Sequence, residues 1–222
     1  MRARTPSIAA ALAAAAIAAA APAAGAPNLI GPGDRLDYIN PSGTGQFCTI
    51  GYAYTGPDRH TYAITAGHCR NSTTGYARDT RTQITGQFVR SVVEPRHNGG
   101  ADYGLVDFGP NALPSAFING TPIGVGHPQP RIGQLVCHLG VSSGRHCGTV
   151  TAAQGIDQYL TTGMPASIAG DSGGPVWTPA TNGYAQIIGI WLGEKDTRTG
   201  QHYGRFASLA SGLTALDASY SG

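Results

Sequence analysis

Three short motifs in this chain gather residue types that can carry out acyl transfer. Gly170-Asp171-Ser172-Gly173-Gly174-Pro175 sets a serine among glycines. Such a backbone can take a tight loop that exposes the hydroxyl and turns nearby N–H groups inward. The N–H groups of Gly170 and Ser172 are the candidates for holding a developing oxyanion. Thr65-Ala66-Gly67-His68-Cys69 closes a β-branched run with a histidine at a loop edge, where an imidazole can exchange protons with a cleft. Ala101-Asp102-Tyr103-Gly104-Leu105-Val106 places an acid just ahead of an apolar strand, where it can be partly buried against the histidine. Taken singly, each has an ordinary reading: a Gly-rich turn, a structural histidine, an acid at a strand end.

The elements that must position these residues are strands. The chain of 222 residues is punctuated by 33 Gly and 15 Pro between short runs rich in Val, Ile, Thr and Tyr, the pattern of a many-stranded β protein. The sequence predicts strands over 47–55 and 61–65, joined as a hairpin through Gly56-Pro57-Asp58, and further strands over 82–93 and 103–108. Residues 111–131, rich in Pro and Gly, read as a linker between an N-terminal unit (27–110) and a C-terminal unit (132–222). In the second unit, strand-like runs cover 134–139, 148–152, 158–162, 175–178, 186–192 and 202–206, spaced for a second β-barrel. Phe206, Leu209, Leu213 and Leu216 recur at helical spacing and predict a short C-terminal helix.

Residues 1–26 are expected to be a signal peptide: Arg2 and Arg4 precede an apolar run, and Ala24-Gly25-Ala26 forms a cleavage site. The run is short and Ala-rich for a spanning helix, so no stable membrane insertion is expected after cleavage. Without those residues the chain carries 12 basic and 12 acidic side chains. That balance leaves no electrostatic footprint for nucleic acid. Four cysteines in an exported chain point to two disulfides.

With the order His68, Asp102, Ser172 and separations of 34 and 70 residues, the motifs resemble those of the chymotrypsin-like serine peptidases. Two such motifs rarely co-occur by chance. The likeness spans residues 36–220, and within the family it is most similar to the bacterial secreted enzymes of the streptogrisin type. The resemblance implies two antiparallel six-stranded barrels packed perpendicular, with the active site between them. It also implies Ser172 as nucleophile, His68 as general base and acid, and Asp102 as the group orienting His68. A secreted serine endopeptidase acting on polypeptides follows, a monomer that needs no metal or organic cofactor. The resemblance further implies bridges Cys48–Cys69 and Cys137–Cys147; the sequence alone leaves a zinc alternative at Cys137, His138, His146 and Cys147.

Three departures from the family pattern stand out. The residue after Cys137 is His138, where related bacterial enzymes commonly have an Arg that pairs with the acid before the nucleophile. The expectation is that His138 or Arg145 neutralises Asp171, with activity falling as His138 loses its proton. The chain also lacks the Ile-Val-Gly-Gly start that animal zymogens expose, and it has only a short segment, 27–45, where streptogrisin-type enzymes carry a long propeptide. Finally, Ala166 stands where trypsin-like members place an acid, which disfavours Lys and Arg before the scissile bond. Ala166, Trp191, Leu192 and Gly193 are the expected pocket residues, although Trp191 reads equally well as core. Asn71-Ser72-Thr73 matches a glycosylation sequon. The competing reading of the whole is a non-catalytic binding or adhesion module of the cell envelope. An α/β-hydrolase esterase is disfavoured because that fold runs Ser, acid, His.

Overall fold

The computed structural model describes residues 28–43, 45–94, 100–179, 182–197 and 200–218. The expected signal peptide, residues 1–26, lies outside the described residues. The chain is nearly all β, with one C-terminal helix.

The first unit is a seven-stranded antiparallel sheet. In chain order its strands are β2 (Arg35–Ile39), β3 (Gly45–Thr49), β4 (Tyr52–Thr55), β5 (Thr61–Thr65), β6 (Tyr76–Asp79), β7 (Thr85–Val93) and β8 (Asp102–Asp107). They pair in the order β3-β2-β6-β7-β8-β5-β4. The two edges, β3 and β4, are consecutive in the chain and separated only by Ile50 and Gly51. The sheet therefore curls into a barrel-like form, completed by the covalent chain and not by a hydrogen-bonded seam. This explains why the predicted strand over 47–55 is two strands: the chain bends at Gly51, where an added Cβ would stand 2.4 Å from Gly173 O. Strands β2 and β6 have no counterpart in the sequence reading. Leu36 and Tyr38 of β2 are buried while Arg35 is exposed, an alternation too short to stand out among the surrounding glycines and prolines.

The second unit is a closed six-stranded barrel, ordered β12-β13-β14-β17-β16-β15. Its strands are β12 (Leu135–Gly140), β13 (Gly144–Gln154), β14 (Gln158–Thr162), β15 (Pro175–Thr178), β16 (Gln186–Asp196) and β17 (His202–Ser208). Val136, Val150, Val176, Ile188, Trp191 and Phe206 fill it. Between the units run three two-residue strands: β9 (Leu113–Pro114), paired in parallel with β1 (Leu29–Ile30), and β10 (Phe117–Ile118) against β11 (Thr121–Pro122). The helix α1 (Leu209–Ala215) is capped by the Ser208 side chain, which accepts from Ser211 N. Leu209 and Leu213 are buried on it as expected, but Phe206 belongs to β17, so the apolar spacing began one element early.

Both disulfides form. Cys48–Cys69 joins β3 to the turn after β5, with Cα atoms 6.1 Å apart. Cys137 and Cys147 face each other across β12 and β13. The second bridge consumes both thiols of the zinc alternative.

Candidate active site

The register of β5 against β8 decides where the first two candidate residues meet. Thr65, the last residue of β5, stands opposite Gly104 near the start of β8. His68, in the 3₁₀ turn Gly67–Cys69, therefore comes to lie beside Asp102 at the head of β8. His68 N donates to Asp102 Oδ1 (2.9 Å), and His68 Nδ1 lies 2.7 Å from Asp102 Oδ2. A carboxylate accepts, so this contact makes Nδ1 the N–H and leaves Nε2 as the lone-pair nitrogen. Asp102 is only 4% exposed, whereas the His68 side chain is 24% exposed. The turn needs Gly67, since an added Cβ would meet Val92 O at 2.6 Å and Tyr103 O at 2.8 Å.

Ser172 arrives from the other unit and is held by its backbone. Ser172 O accepts Thr49 N (2.9 Å), while Thr49 Oγ1 donates to Gly170 O (2.8 Å). The Cys69 sulfur lies 4.0 Å from Ser172 O, so the Cys48–Cys69 bridge buttresses the serine loop beside His68. On the opposite side Gly173 N donates to Trp191 O and Trp191 N to Gly174 O, both at 2.7 Å. Gly170 and Gly173 take φ of 103° and 84°, a region costly for other residues. Asp171 N turns back to Ile168 O and Gly174 N to Asp171 O. Among the described residues, the N–H groups of Gly170 and Ser172 donate to no backbone carbonyl of this turn.

Asp171 is fully buried, but neither His138 nor Arg145 pairs with it. Its Oδ1 accepts the N–H groups of Ser142 (3.0 Å) and Ser143 (3.1 Å). A carboxylate can be held by N–H groups as well as by a cation. Gly140 allows it to lie there, because an added Cβ would stand 2.0 Å from Asp171 Oδ1. His138 is buried and stacked on Trp191, ring centroids 4.2 Å apart. Burial pushes its pKa down to about 4 against the pull of Asp171. The imidazole is thus neutral through the neutral pH range. The expected loss of activity on deprotonation above neutrality has no charged His138 to act through.

The expected pocket residues divide. Ala166 is exposed and Gly193 half-buried, but Trp191 and Leu192 are buried. The two segments that carry them do face each other, joined through a residue the sequence did not single out: Trp191 Nε1 donates to Ser167 Oγ (3.1 Å), and Ser167 N donates to Glu194 Oε2 (3.1 Å). Thr49 and the amides of Ser142 and Ser143 likewise hold the serine loop, and no local motif marks them.

No protein-family profile matches the chain. It is 35% identical over 158 residues to Rv1815, an uncharacterized protein of Mycobacterium tuberculosis, covering 65% of this chain and 66% of that one. It is 32% identical over 149 residues to streptogrisin-C of Streptomyces griseus, covering 62% of this chain but 30% of that one. The chain thus spans just under two thirds of the first relative and less than a third of the second. Among solved structures, Cellulomonas bogoriensis chymotrypsin superposes with a TM-score of 0.61 at 28% identity, covering 84% of this chain and 94% of that one. Thermobifida fusca protease A superposes with a TM-score of 0.62, covering 86% and 97%. At 24% identity, that second likeness carries the fold alone.

Proposed function

We propose that this chain, a homologue of streptogrisin-C with the two-barrel fold of the bacterial chymotrypsin-like serine proteases, is a secreted serine endopeptidase with His68, Asp102 and Ser172 as its triad. The observation that carries the reading is the 2.7 Å contact of His68 Nδ1 with a buried Asp102, beside the loop that presents Ser172. In this reading Ser172 Oγ attacks the peptide carbonyl while His68 Nε2 takes its proton. The oxyanion is received by the N–H groups of Gly170 and Ser172. His68 then passes the proton to the leaving amine, and water repeats the sequence on the acyl-enzyme. Asp102 keeps the imidazole in the required tautomer and stabilises the imidazolium. Export is supported by two disulfides and by the leader pattern of residues 1–26. Among the described residues no helix is long and apolar enough to cross a membrane. A non-catalytic module would have no use for a buried orienting acid, and it is not favoured.

The test is a fluorophosphonate label read by intact mass on the purified, oxidised protein. One adduct, mapped to Ser172, is expected. No adduct on folded protein would overturn the reading as a statement about this chain's activity.

Specificity follows from Trp191. Its backbone is bonded to the serine loop, and its indole lies between Ser167 and β17, where an added Cβ on Gly204 would touch it at 2.3 Å. The indole packs in the core of the second barrel on His138 and reaches Ser167, beside Ala166, through its Nε1. In this reading it backs the pocket wall and favours a small side chain before the scissile bond. The expected kcat/KM for Ala there exceeds that for Phe by at least about tenfold, the scale of hydrophobic pocket discrimination. Trp191→Leu is expected to narrow that ratio, and equal ratios in the two proteins would remove Trp191 as its cause.

A further inference from the structure

A cavity of about 640 Å³ opens at the rear of the strand that begins with Asp102. Glu94, Gly100, Gln129, Asp157, Ser211 and Thr214 supply its polar lining, and among the described residues no basic side chain lines it. Asp157 is the informative member. It is 8% exposed; Oδ2 accepts the Tyr103 hydroxyl at 2.7 Å, and Oδ1 has no partner. The neighbouring Gln158, 2% exposed, donates through Nε2 to Gly100 O and leaves its own Oε1 without a partner. The Glu94 carboxylate closes over the same spot, since an added Cβ on Gly100 would stand 2.6 Å from Glu94 Oε2. Burial, and then the Glu94 charge, push the Asp157 pKa upward.

A buried carboxylate with an unsatisfied oxygen, sharing a cavity with a second carboxylate whose Oε2 accepts Ala101 N (3.3 Å), is costly unless a positive charge joins them. The surroundings offer oxygen donors of mixed charge: two carboxylates, a side-chain amide and two hydroxyls. Hard cations that accept irregular, oxygen-rich geometry are served by such a set, calcium before magnesium, which demands a near-octahedral shell.

We propose that this cavity is a calcium-class cation site, with Asp157 and Glu94 as its charged ligands and Gln129, Ser211 and Thr214 as neutral oxygen donors. Two carboxylates and a solvent-open cavity place it among weak extracellular sites, with Kd about 10⁻⁴–10⁻³ M. The cation ties the β13–β14 turn, α1 and the segment entering β8 together. Those three meet at Tyr103, whose hydroxyl is also 3.0 Å from Ser208 O. The proposal stands independently of proteolytic activity.

The test is thermal unfolding of the chelator-treated protein during calcium titration, with sodium chloride at matched ionic strength as control. In parallel, terbium luminescence excited through tyrosine is measured, since Tyr103 touches Asp157. Calcium is expected to raise the unfolding temperature saturably, and at ten times Kd to lower the unfolding constant about tenfold. It should also quench the terbium signal by displacement. Asp157→Asn is expected to lose both responses, and Glu94→Gln, altered at an exposed residue, to weaken both while remaining folded. A response that does not saturate, one that sodium reproduces, or one unchanged in Glu94→Gln would overturn the site.

Discussion

Ser172→Ala is expected to lower kcat by about 10⁶ and to abolish the fluorophosphonate adduct, leaving the far-ultraviolet dichroism and unfolding midpoint close to those of the parent. The size follows from the way a triad acts as a unit: loss of the nucleophile alone removes nearly all that the three groups contribute together. The structural silence follows from how the residue is held. Ser172 is tied in through its carbonyl oxygen, which accepts Thr49 N, and through neighbours bonded to Trp191. Alanine keeps those bonds. Single-turnover kinetics with a chromogenic ester would check the result, and a variant retaining a tenth of the parental rate would remove Ser172 from the chemistry.

The second large effect is expected at Asp102. Asp102→Asn preserves the shape of the side chain, and its Oδ1 can still accept His68 N. The amide nitrogen then falls opposite His68 Nδ1, where Oδ2 now lies at 2.7 Å. A donor there turns Nδ1 into an acceptor and moves the imidazole proton to Nε2, the nitrogen that must take the proton of Ser172. The expected loss is about 10⁴ in kcat at neutral pH, with KM changed little, because the tautomer is wrong while the groove is intact. A fall in binding with kcat preserved would mean that Asp102 acts on the fold alone.

Much of the candidate site's layout was readable from the chain because its residues lie in short segments with local causes. Glycines at 170 and 173 announce backbone that other residues resist, and the φ values there explain their presence. His68 precedes a cysteine that a bridge anchors, and Asp102 begins a strand whose apolar residues mark its burial. The strands with strong β-branched runs, such as 61–65 and 186–192, were equally legible. Strands 35–39 and 76–79 were not, because each buries only two side chains and draws its stability from partners across the sheet.

The partner of Asp171 was misread for a related reason. A sequence search for its counter-charge inspects side chains, and His138 and Arg145 were the nearby candidates. The groups that hold it are the N–H groups of Ser142 and Ser143, which carry no signature of residue type. His138, excluded from water and stacked on Trp191, is a neutral ring within the second barrel.

The sequence by itself thus determined the candidate residue types, their order, the all-β character and the cysteine count, since these rest on covalent chemistry and local backbone preference. Tertiary structure alone decided which groups meet. It set the Thr49 bond to the serine loop across 121 residues, the packing of the Trp191 indole on His138 in the second barrel, the curling of the first sheet against the closure of the second, and the unpartnered Asp157 oxygen behind Asp102. These depend on strand register and barrel closure, which arise from the packing of distant segments, and no local stretch of chain contains that information.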